Sequence, residues 1–353
     1  MTVTQAAAAG FADKDPRPPI GGFFERHEAN DAQNGRSVLA AWTEGRPFAA
    51  YVNARSAFAA LAARFPDAAV WLPAFLCRDM AQPAFAARTR IYGVREGFRP
   101  DLETVAAQAA PGDLVLAPAY FGQPLSGPAR QALAQRPDLT VVEDRAQALD
   151  AGRGAAWRLF SPRKLLGVAD GGLLVAPDAA TPPPRPLASA DAAALWAAPL
   201  MRAEDPAGRR NGLWHAANQA KEAAMGVTHQ AMTQASLDIL SAAPLDRLTA
   251  PRLANWCALD QRLQPWSAHP AEPCAPPLGY VLRLDPDRRD RVLHGLHAQR
   301  IFAAVHWPRI LGRAESFPRE TQWTRELITL PCDHRYNVGE MARVADAVLA
   351  LLR

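Results

Sequence analysis

The chain has 353 residues, 49% of them hydrophobic, which predicts a globular protein large enough for two domains. Its formal net charge is +4, but the basic residues are spread along the chain, so we do not infer nucleic-acid binding. Four separated cysteines argue against a disulfide framework and fit a cytoplasmic protein, and no apolar run reaches the ~18 residues of a membrane span.

The first predicted helix follows an N-terminal arm that we expect to be loose over residues 1–20. A strong helix-forming run covers residues 54–65, and Asn53 is well suited to cap its start. A helix N terminus presents free backbone amides and the positive end of the helix dipole, which suits a phosphate group. An ordinary capped helix without a ligand is the alternative interpretation.

Short strands and Ala-rich helices then alternate. Strands are predicted at residues 69–73, 90–94, 113–118, 139–142 and 157–160. This alternation is typical of a parallel, doubly wound α/β sheet, in which sites lie at the carboxyl ends of strands. Tyr120, Asp144 and Lys164 each follow such an end. No Gly-x-Gly-x-x-Gly or Walker motif follows a strand, so dinucleotide and P-loop sites are poorly supported.

The second half of the chain predicts a different organisation. Residues 176–210 are rich in Pro and Ala and are expected to form a loop, followed by helices at 213–225 and 231–240. A domain boundary is expected between Pro244 and Pro251, and a strand at 280–284, a helix at 287–300 and a closing helix at 338–352 come after it. We therefore expect a large domain over residues 21–245 and a small C-terminal α+β domain over residues 246–353. His294 and His297 share a helix face, but without a third ligand nearby we predict no metal site.

Lysine is rare in this chain. The 39 basic residues include only three lysines, Lys14, Lys164 and Lys221. Lys164 sits between two strands predicted to be buried, where an uncompensated ammonium group is costly. A lysine amine can lose its proton and attack a carbonyl, whereas an arginine guanidinium cannot. Lys164 is therefore a candidate Schiff-base lysine; the alternative is a lysine whose ammonium group reaches solvent from a strand end.

Three of these features together match the needs of pyridoxal phosphate. The helix start at Asn53, Ala54 and Arg55 could hold its phosphate, Asp144 could keep its ring nitrogen protonated, and Lys164 could bind its aldehyde as an imine. Asp144 alone is more readily explained as the residue that caps a following helix. The conjunction is more specific than its parts.

The sequence resembles the DegT/StrS family of fold-type I pyridoxal phosphate enzymes, the nucleotide-sugar aminotransferases. The resemblance runs from about residue 21 to the C terminus. It is carried by Asn-Ala-Arg-Ser-Ala-Phe at 53–58, Leu-Pro-Ala-Phe-Leu-Cys at 72–77, Tyr-Phe-Gly-Gln-Pro at 120–124, Glu-Asp-Arg-Ala-Gln-Ala at 143–148, Phe-Ser-Pro-Arg-Lys at 160–164, Asp-Gly-Gly at 170–172 and Leu-Pro-Cys-Asp-His-Arg-Tyr at 330–336.

The resemblance implies a fold and a set of cofactor contacts. The fold would be a large domain with a mostly parallel seven-stranded sheet between helices, plus the small α+β domain. Lys164 would form the internal aldimine and Asp144 would pair with the pyridinium. The remaining cofactor-binding residues would be Asn53, Ala54, Arg55, Phe75, Tyr120, Gln147 and Ser161. The aromatic position that stacks on the cofactor ring falls on Phe75, although Cys77 is the alternative at that place.

The sequence departs from the common family pattern at several positions. The helix start is Asn-Ala-Arg where the family commonly has Ser-Gly-Thr, and the segment between Ser161 and Lys164 is shorter than usual. The resemblance also implies a homodimer with its active site at the interface, which Asn211 could reach from the neighbouring subunit. Trp307 and His306 would border the mouth of the site and contact substrate.

The predicted function is that of a pyridoxal phosphate-dependent aminotransferase. It would move an amino group from glutamate or another amino acid to a keto sugar, nucleotide-linked, for cell-surface polysaccharide or secondary-metabolite biosynthesis. One alternative is a pyridoxal phosphate enzyme with another outcome, such as a dehydratase. The other is a degenerate family member that binds a ligand without catalysis.

Overall fold

The computed structural model describes residues 17–27, 35–154, 156–269 and 273–353. Its strands are β1 (Ile20–Gly21), β2 (Phe48–Tyr51), β3 (Val70–Pro73), β4 (Thr89–Tyr92), β5 (Val94–Arg95), β6 (Arg99–Pro100), β7 (Leu114–Pro118), β8 (Thr140–Asp144), β9 (Trp157–Phe160), β10 (Gly172–Val175), β11 (Ala188–Ser189), β12 (Gln230–Ala231), β13 (Tyr280–Arg283), β14 (Ile301–Phe302) and β15 (Leu327–Leu330).

The helices of the same segments are α1 (Val38–Thr43), α2 (Ala54–Ala62), α3 (Leu102–Gln108), α4 (Gly127–Ala134), α5 (Ala192–Ala203), α6 (Asn211–Ala224), α7 (Gln234–Ala242), α8 (Leu245–Leu263), α9 (Pro286–Ala298), α10 (Pro318–Glu326) and α11 (Val338–Leu352). Short 3₁₀ turns lie at Arg78–Met80, Pro83–Arg88, Tyr120–Gly122, Pro162–Lys164, Gln264–Trp266 and Ala314–Ser316.

A mixed sheet forms the centre of the larger part of the chain. Its strand order is β11-β12-β2-β10-β9-β8-β7-β3-β4. Neighbours are parallel from β9 through β8, β7 and β3 to β4, whereas β10 runs antiparallel to both β9 and β2. The predicted α/β fold with a mostly parallel sheet is confirmed. The sheet is wider than the seven strands expected, because the two-residue strands β11 and β12 extend the β2 edge.

The apolar strand sequences follow from burial on both faces of this sheet. Every residue of β3, β7, β9 and β10 is buried. Along β7, Leu114 and Leu116 pack in the cluster that contains Phe58 of α2. Val115 packs in a separate cluster with Leu102 of α3. Alternate residues of one strand thus face different helical layers.

The C-terminal part has its own hydrophobic core. The antiparallel strands β13 and β15 pack with α8, α9 and α11 around residues such as Tyr280, Leu296 and Val344. Ile20 belongs to this core, because β1 pairs with β14 there. This separate core favours the proposed domain boundary after residue 245. Residues 1–16 of the predicted loose arm lie outside the described residues.

One local prediction was wrong. The expected loop at 176–210 contains α5, a helix that begins at the side-chain cap of Asp191 and buries Trp196. The domain boundary expected between Pro244 and Pro251 stays a proposal, and at this place α8 begins at Leu245 and runs through Pro251. Proline costs a helix one hydrogen bond and a steric clash, but tertiary packing of the buried face of α8 outweighs that local penalty.

No helix among the described residues is long and apolar enough to cross a membrane. Nor does any group of three or more His, Cys, Asp or Glu side chains in those segments lie in an arrangement that could hold a metal ion.

Candidate active site

A cavity lies at the carboxyl ends of the parallel strands, as expected for this sheet topology. Its empty volume is about 630 Å³, including space that opens to solvent. Eight of the predicted site residues line it: Asn53, Ala54, Arg55, Asp144, Gln147, Ser161, Lys164 and Trp307. The remaining lining residues are Leu76, Cys77, Met80, Pro118, Ala119, Ala146 and Arg163.

The start of α2 forms one wall of this cavity. The predicted cap is confirmed, since Asn53 Oδ1 accepts a hydrogen bond from the amide of Ser56 at 2.9 Å. Ala54 and Arg55 are the first two residues of α2, and their backbone amides have no hydrogen-bond partner within the helix. Gly172 permits the position of the helix, because a Cβ there would lie 2.1 Å from the Asn53 carbonyl carbon. This contact explains the second glycine of the Asp-Gly-Gly motif.

Arg55 contributes its backbone rather than a free cation to this wall. Its guanidinium donates to Asp79 Oδ2 at 2.5 Å and to the Met225 carbonyl at 2.6 Å. The helix start therefore offers backbone amides and the dipole as its anion-binding groups.

Asp144 ends β8 with a buried carboxyl group. One carboxyl oxygen accepts from the Ala146 amide at 3.0 Å. Burial raises the pKa of Asp144 above its ordinary value, and the positive charge of Lys164 and the Ala146 amide oppose that rise. A buried carboxylate of this kind gains most from a cationic partner in the cavity.

Lys164 ends the turn Pro162–Lys164 between β9 and β10, and its side chain is exposed. Both flanking strands are buried, as predicted, and the turn between them leaves the Lys164 side chain exposed at the cavity. The buried lysine is Lys221, whose side chain is only 7% exposed. Lys14 lies outside the described residues.

A hydrogen bond fixes one atom of the side-chain amide of Gln147. Its Oε1 accepts from the Phe121 amide at 2.7 Å, whereas its buried Nε2 has no hydrogen-bond partner among the described residues. Phe121 has a φ of 53°, a left-handed conformation unusual for an aromatic residue, and Gly122 follows with a φ of 89°. A Cβ at Gly122 would lie 2.9 Å from the Gln147 carbonyl oxygen. The tight turn thus fixes Gln147 and leaves a donor at the cavity.

Four predicted site residues do not line this cavity: Phe75, Tyr120, His306 and Asn211. Phe75 is 2% exposed and packs edge-on against Trp307, with ring centroids 4.7 Å apart. The Tyr120 hydroxyl donates to the Phe75 carbonyl at 2.5 Å. After β3 the chain turns, so that Phe75 enters this aromatic cluster while Leu76 and Cys77 face the cavity. Cys77, the alternative for the stacking position, lines the cavity, whereas Phe75 does not.

The two predicted substrate residues outside the wall lie in different places. His306 lines a neighbouring cavity. Burial lowers its pKa to about 3, with the charge of Lys164 as a second cause. Asn211 begins α6, is partly exposed and reaches neither cavity.

The sequence did not reveal a buried arginine that hydrogen-bonds to the backbone next to Lys164. Arg252 of α8 is fully buried, and its Nη2 donates to the Leu165 carbonyl at 2.6 Å across 87 positions of the chain. No local pattern around Arg252 signals this contact. Only the packing of α8 beneath the turn creates it.

Comparisons with known proteins agree with this architecture. No family model matches the sequence, and no curated protein matches it significantly. DesV of S. venezuelae, solved in complex with a ketimine intermediate, is 21% identical, with 99% of this chain and 94% of that chain covered and a TM-score of 0.64. PseC of Helicobacter pylori, an aminotransferase involved in pseudoaminic acid biosynthesis, is 14% identical, with 95% and 99% covered and a TM-score of 0.66.

A third similar structure carries the family description. It is a DegT DnrJ EryC1 StrS aminotransferase from Brucella abortus, 16% identical, with 88% of this chain and 87% of that chain covered and a TM-score of 0.60. The chain has the fold of these aminotransferases. The predicted fold-type I architecture is therefore confirmed, while identities of this size concern the fold alone.

Proposed function

We propose that the protein is a pyridoxal phosphate-dependent aminotransferase that moves an amino group from glutamate or another amino acid to a nucleotide-linked keto sugar. One observation carries the proposal: a helix N terminus, the buried carboxyl group of Asp144 and the amine of Lys164 line one cavity. The similar structures include aminotransferases, one of them involved in pseudoaminic acid biosynthesis. Cell-surface polysaccharide or secondary-metabolite biosynthesis is the setting that fits such a reaction.

The residues of the cavity fit this cofactor. The backbone amides at the start of α2 suit its phosphate, and the buried Asp144 carboxylate suits its protonated ring nitrogen. The unpartnered Nε2 of Gln147 is a donor suited to the ring hydroxyl oxygen. Ser161, buried directly after β9, would bind the phosphate through its hydroxyl group.

When bound, pyridoxal phosphate supplies an electron sink for the carbanion formed at the amino donor. Asp144 holds the proton on the ring nitrogen, which its buried position favours because the two opposite charges then compensate each other. Lys164 holds the cofactor and afterwards acts as a general base, which takes and returns the proton of the substrate carbon. The exposed position of Lys164 at the cavity leaves its amine free to move between these roles.

The experiment that tests the function is a single turnover of the purified protein with glutamate. We expect one equivalent of 2-oxoglutarate per bound cofactor, followed by amination of a nucleotide-linked keto sugar. Loss of water from the sugar without amination would favour the dehydratase alternative. Cofactor binding without reaction with any amino donor would favour a non-catalytic family member.

We also propose a homodimer with an active site at the interface and a cytoplasmic location. Asn211 reaches neither cavity of its own subunit, and the exposed Leu213 lies beside it on α6. Exposed apolar surface next to a polar residue that lacks a role in its own subunit is typical of an interface. A monomer in light scattering that still transfers amino groups would contradict this proposal.

Replacing Trp307 with alanine should raise the KM for the keto acceptor about tenfold and leave the glutamate half-reaction unchanged, because Trp307 offers a flat apolar face at the cavity. Steady-state and single-turnover kinetics of the two half-reactions check this. Trp307 also packs with Phe75 and Tyr120. An equal loss in both half-reactions, together with a melting temperature lowered by many degrees, would show a packing role instead.

A further inference from the structure

A second cavity adjoins the first, and Arg163 and Lys164 line both. Its empty volume is about 780 Å³, including space that opens to solvent. One side of this cavity is formed by α6, with Asn218, Lys221 and Glu222. Lys221 and Glu222 follow Asn218 by three and four positions, so the three side chains lie on the same face of the helix. A substrate that reaches Lys164 from this side would meet these three side chains.

Lys221 on this wall has few direct partners. Glu222 forms an ion pair with Arg163 and lies 3.8 Å from Lys221 Nζ. The buried Asp170 carboxylate also attracts Lys221, but it accepts its hydrogen bonds from Thr233 and Ser236. Lys221 Nζ has a single hydrogen bond in the described residues, to the Ala169 carbonyl at 3.2 Å. An ammonium group has three donors, so an added anion would supply acceptors that this group lacks.

A second possible donor of the same cavity also lacks a partner. His306 Nε2 is buried without a hydrogen bond among the described residues. A neutral imidazole can donate a hydrogen bond from this nitrogen. Asn218 Oδ1 lacks a partner there as well, but an amide oxygen accepts and therefore suits a hydroxyl group of a substrate rather than an anion.

We propose that Lys221, with His306, binds an anionic oxygen group of a substrate in this second cavity. The inference rests on the proposed function, since the cavity is open to the same Lys164. A carboxylate of the amino donor and a phosphate of a nucleotide-linked acceptor share this chemistry. A purely structural Lys221 would only complement the Ala169 carbonyl and the last turn of α6.

The test is calorimetric titration of the holoenzyme with two probes, succinate and thymidine diphosphate. Lys221→Gln should weaken the binding of at least one probe tenfold or more, whereas Lys221→Arg, which keeps the charge, should stay within threefold of the parent protein. A loss for succinate alone identifies the donor carboxylate, and a loss for thymidine diphosphate alone identifies the acceptor phosphate. Weaker binding of both probes shows that the cavity can bind either the carboxylate or the phosphate.

Arg262→Gln is the matched control, since it removes a positive charge from α8, where Arg262 forms an ion pair with the exposed Asp346 of α11. It should leave both affinities unchanged. Should Lys221→Gln not fold, His306→Phe takes its place, with a loss of at least threefold expected. Unchanged affinities in the folded variant, or no binding of either probe by the parent protein, would overturn the inference.

The visible absorbance of the bound cofactor, recorded for each protein before titration, separates this inference from the proposed function. A parent protein that binds no cofactor would contradict the function itself. Normal cofactor content with unchanged probe binding in Lys221→Gln would contradict only the role of Lys221.

Discussion

Lys164→Arg should lower the rate of amino transfer by about four orders of magnitude, because a guanidinium group neither attacks a carbonyl nor acts as a base at neutral pH. The rate of 2-oxoglutarate release from glutamate in a single turnover measures this loss. Since Lys164 is exposed in a turn, the substitution should leave the melting temperature nearly unchanged.

Lys221→Arg is the matched control for this experiment, because it makes the same substitution at the other described lysine. It should retain most of the turnover. A Lys164→Arg protein that releases 2-oxoglutarate at a rate within tenfold of the parent would contradict the assignment of Lys164.

Asp144→Asn should lower turnover by about two to four orders of magnitude while cofactor binding remains measurable. An amide oxygen can still accept from the Ala146 amide, so the local fold persists, but it no longer stabilises a proton on the ring nitrogen. Steady-state kinetics together with the cofactor content of the purified variant measure the two effects separately.

Asp150→Asn is a suitable control, since Asp150 is another carboxylate near the end of β8 but bonds to Arg145 outside the cavity. It should keep near-normal turnover. Near-normal turnover of Asp144→Asn would refute the role given to Asp144.

Local signals in the sequence were sufficient for much of this site. Asn53 before a helix-forming run predicted the cap and the start of α2, because capping depends on residues three positions apart. The apolar run before Glu143 and Asp144 predicted β8. It also placed Asp144 at the carboxyl end of that strand, where sites form in parallel sheets. The parallel core of the sheet followed from the alternation of strands and helices.

Local sequence signals could not predict the directions of side chains or the contacts between residues far apart in the chain. The turn after β9 exposes Lys164, while α6 buries Lys221, and neither outcome depends on its immediate neighbours alone. The turn after β3 likewise decides that Cys77 rather than Phe75 reaches the cavity. The hydrogen bond from Arg252 to the Leu165 carbonyl depends on the packing of α8 against the turn after β9, which no local pattern predicts.

The most direct test of the central claim is to reduce the purified protein with borohydride and to map the modified peptide by mass spectrometry. We expect the cofactor to be attached covalently to Lys164, within the peptide that contains the turn Pro162–Lys164. Attachment to Lys221, the buried lysine of the neighbouring cavity, or to Lys14 would contradict the account.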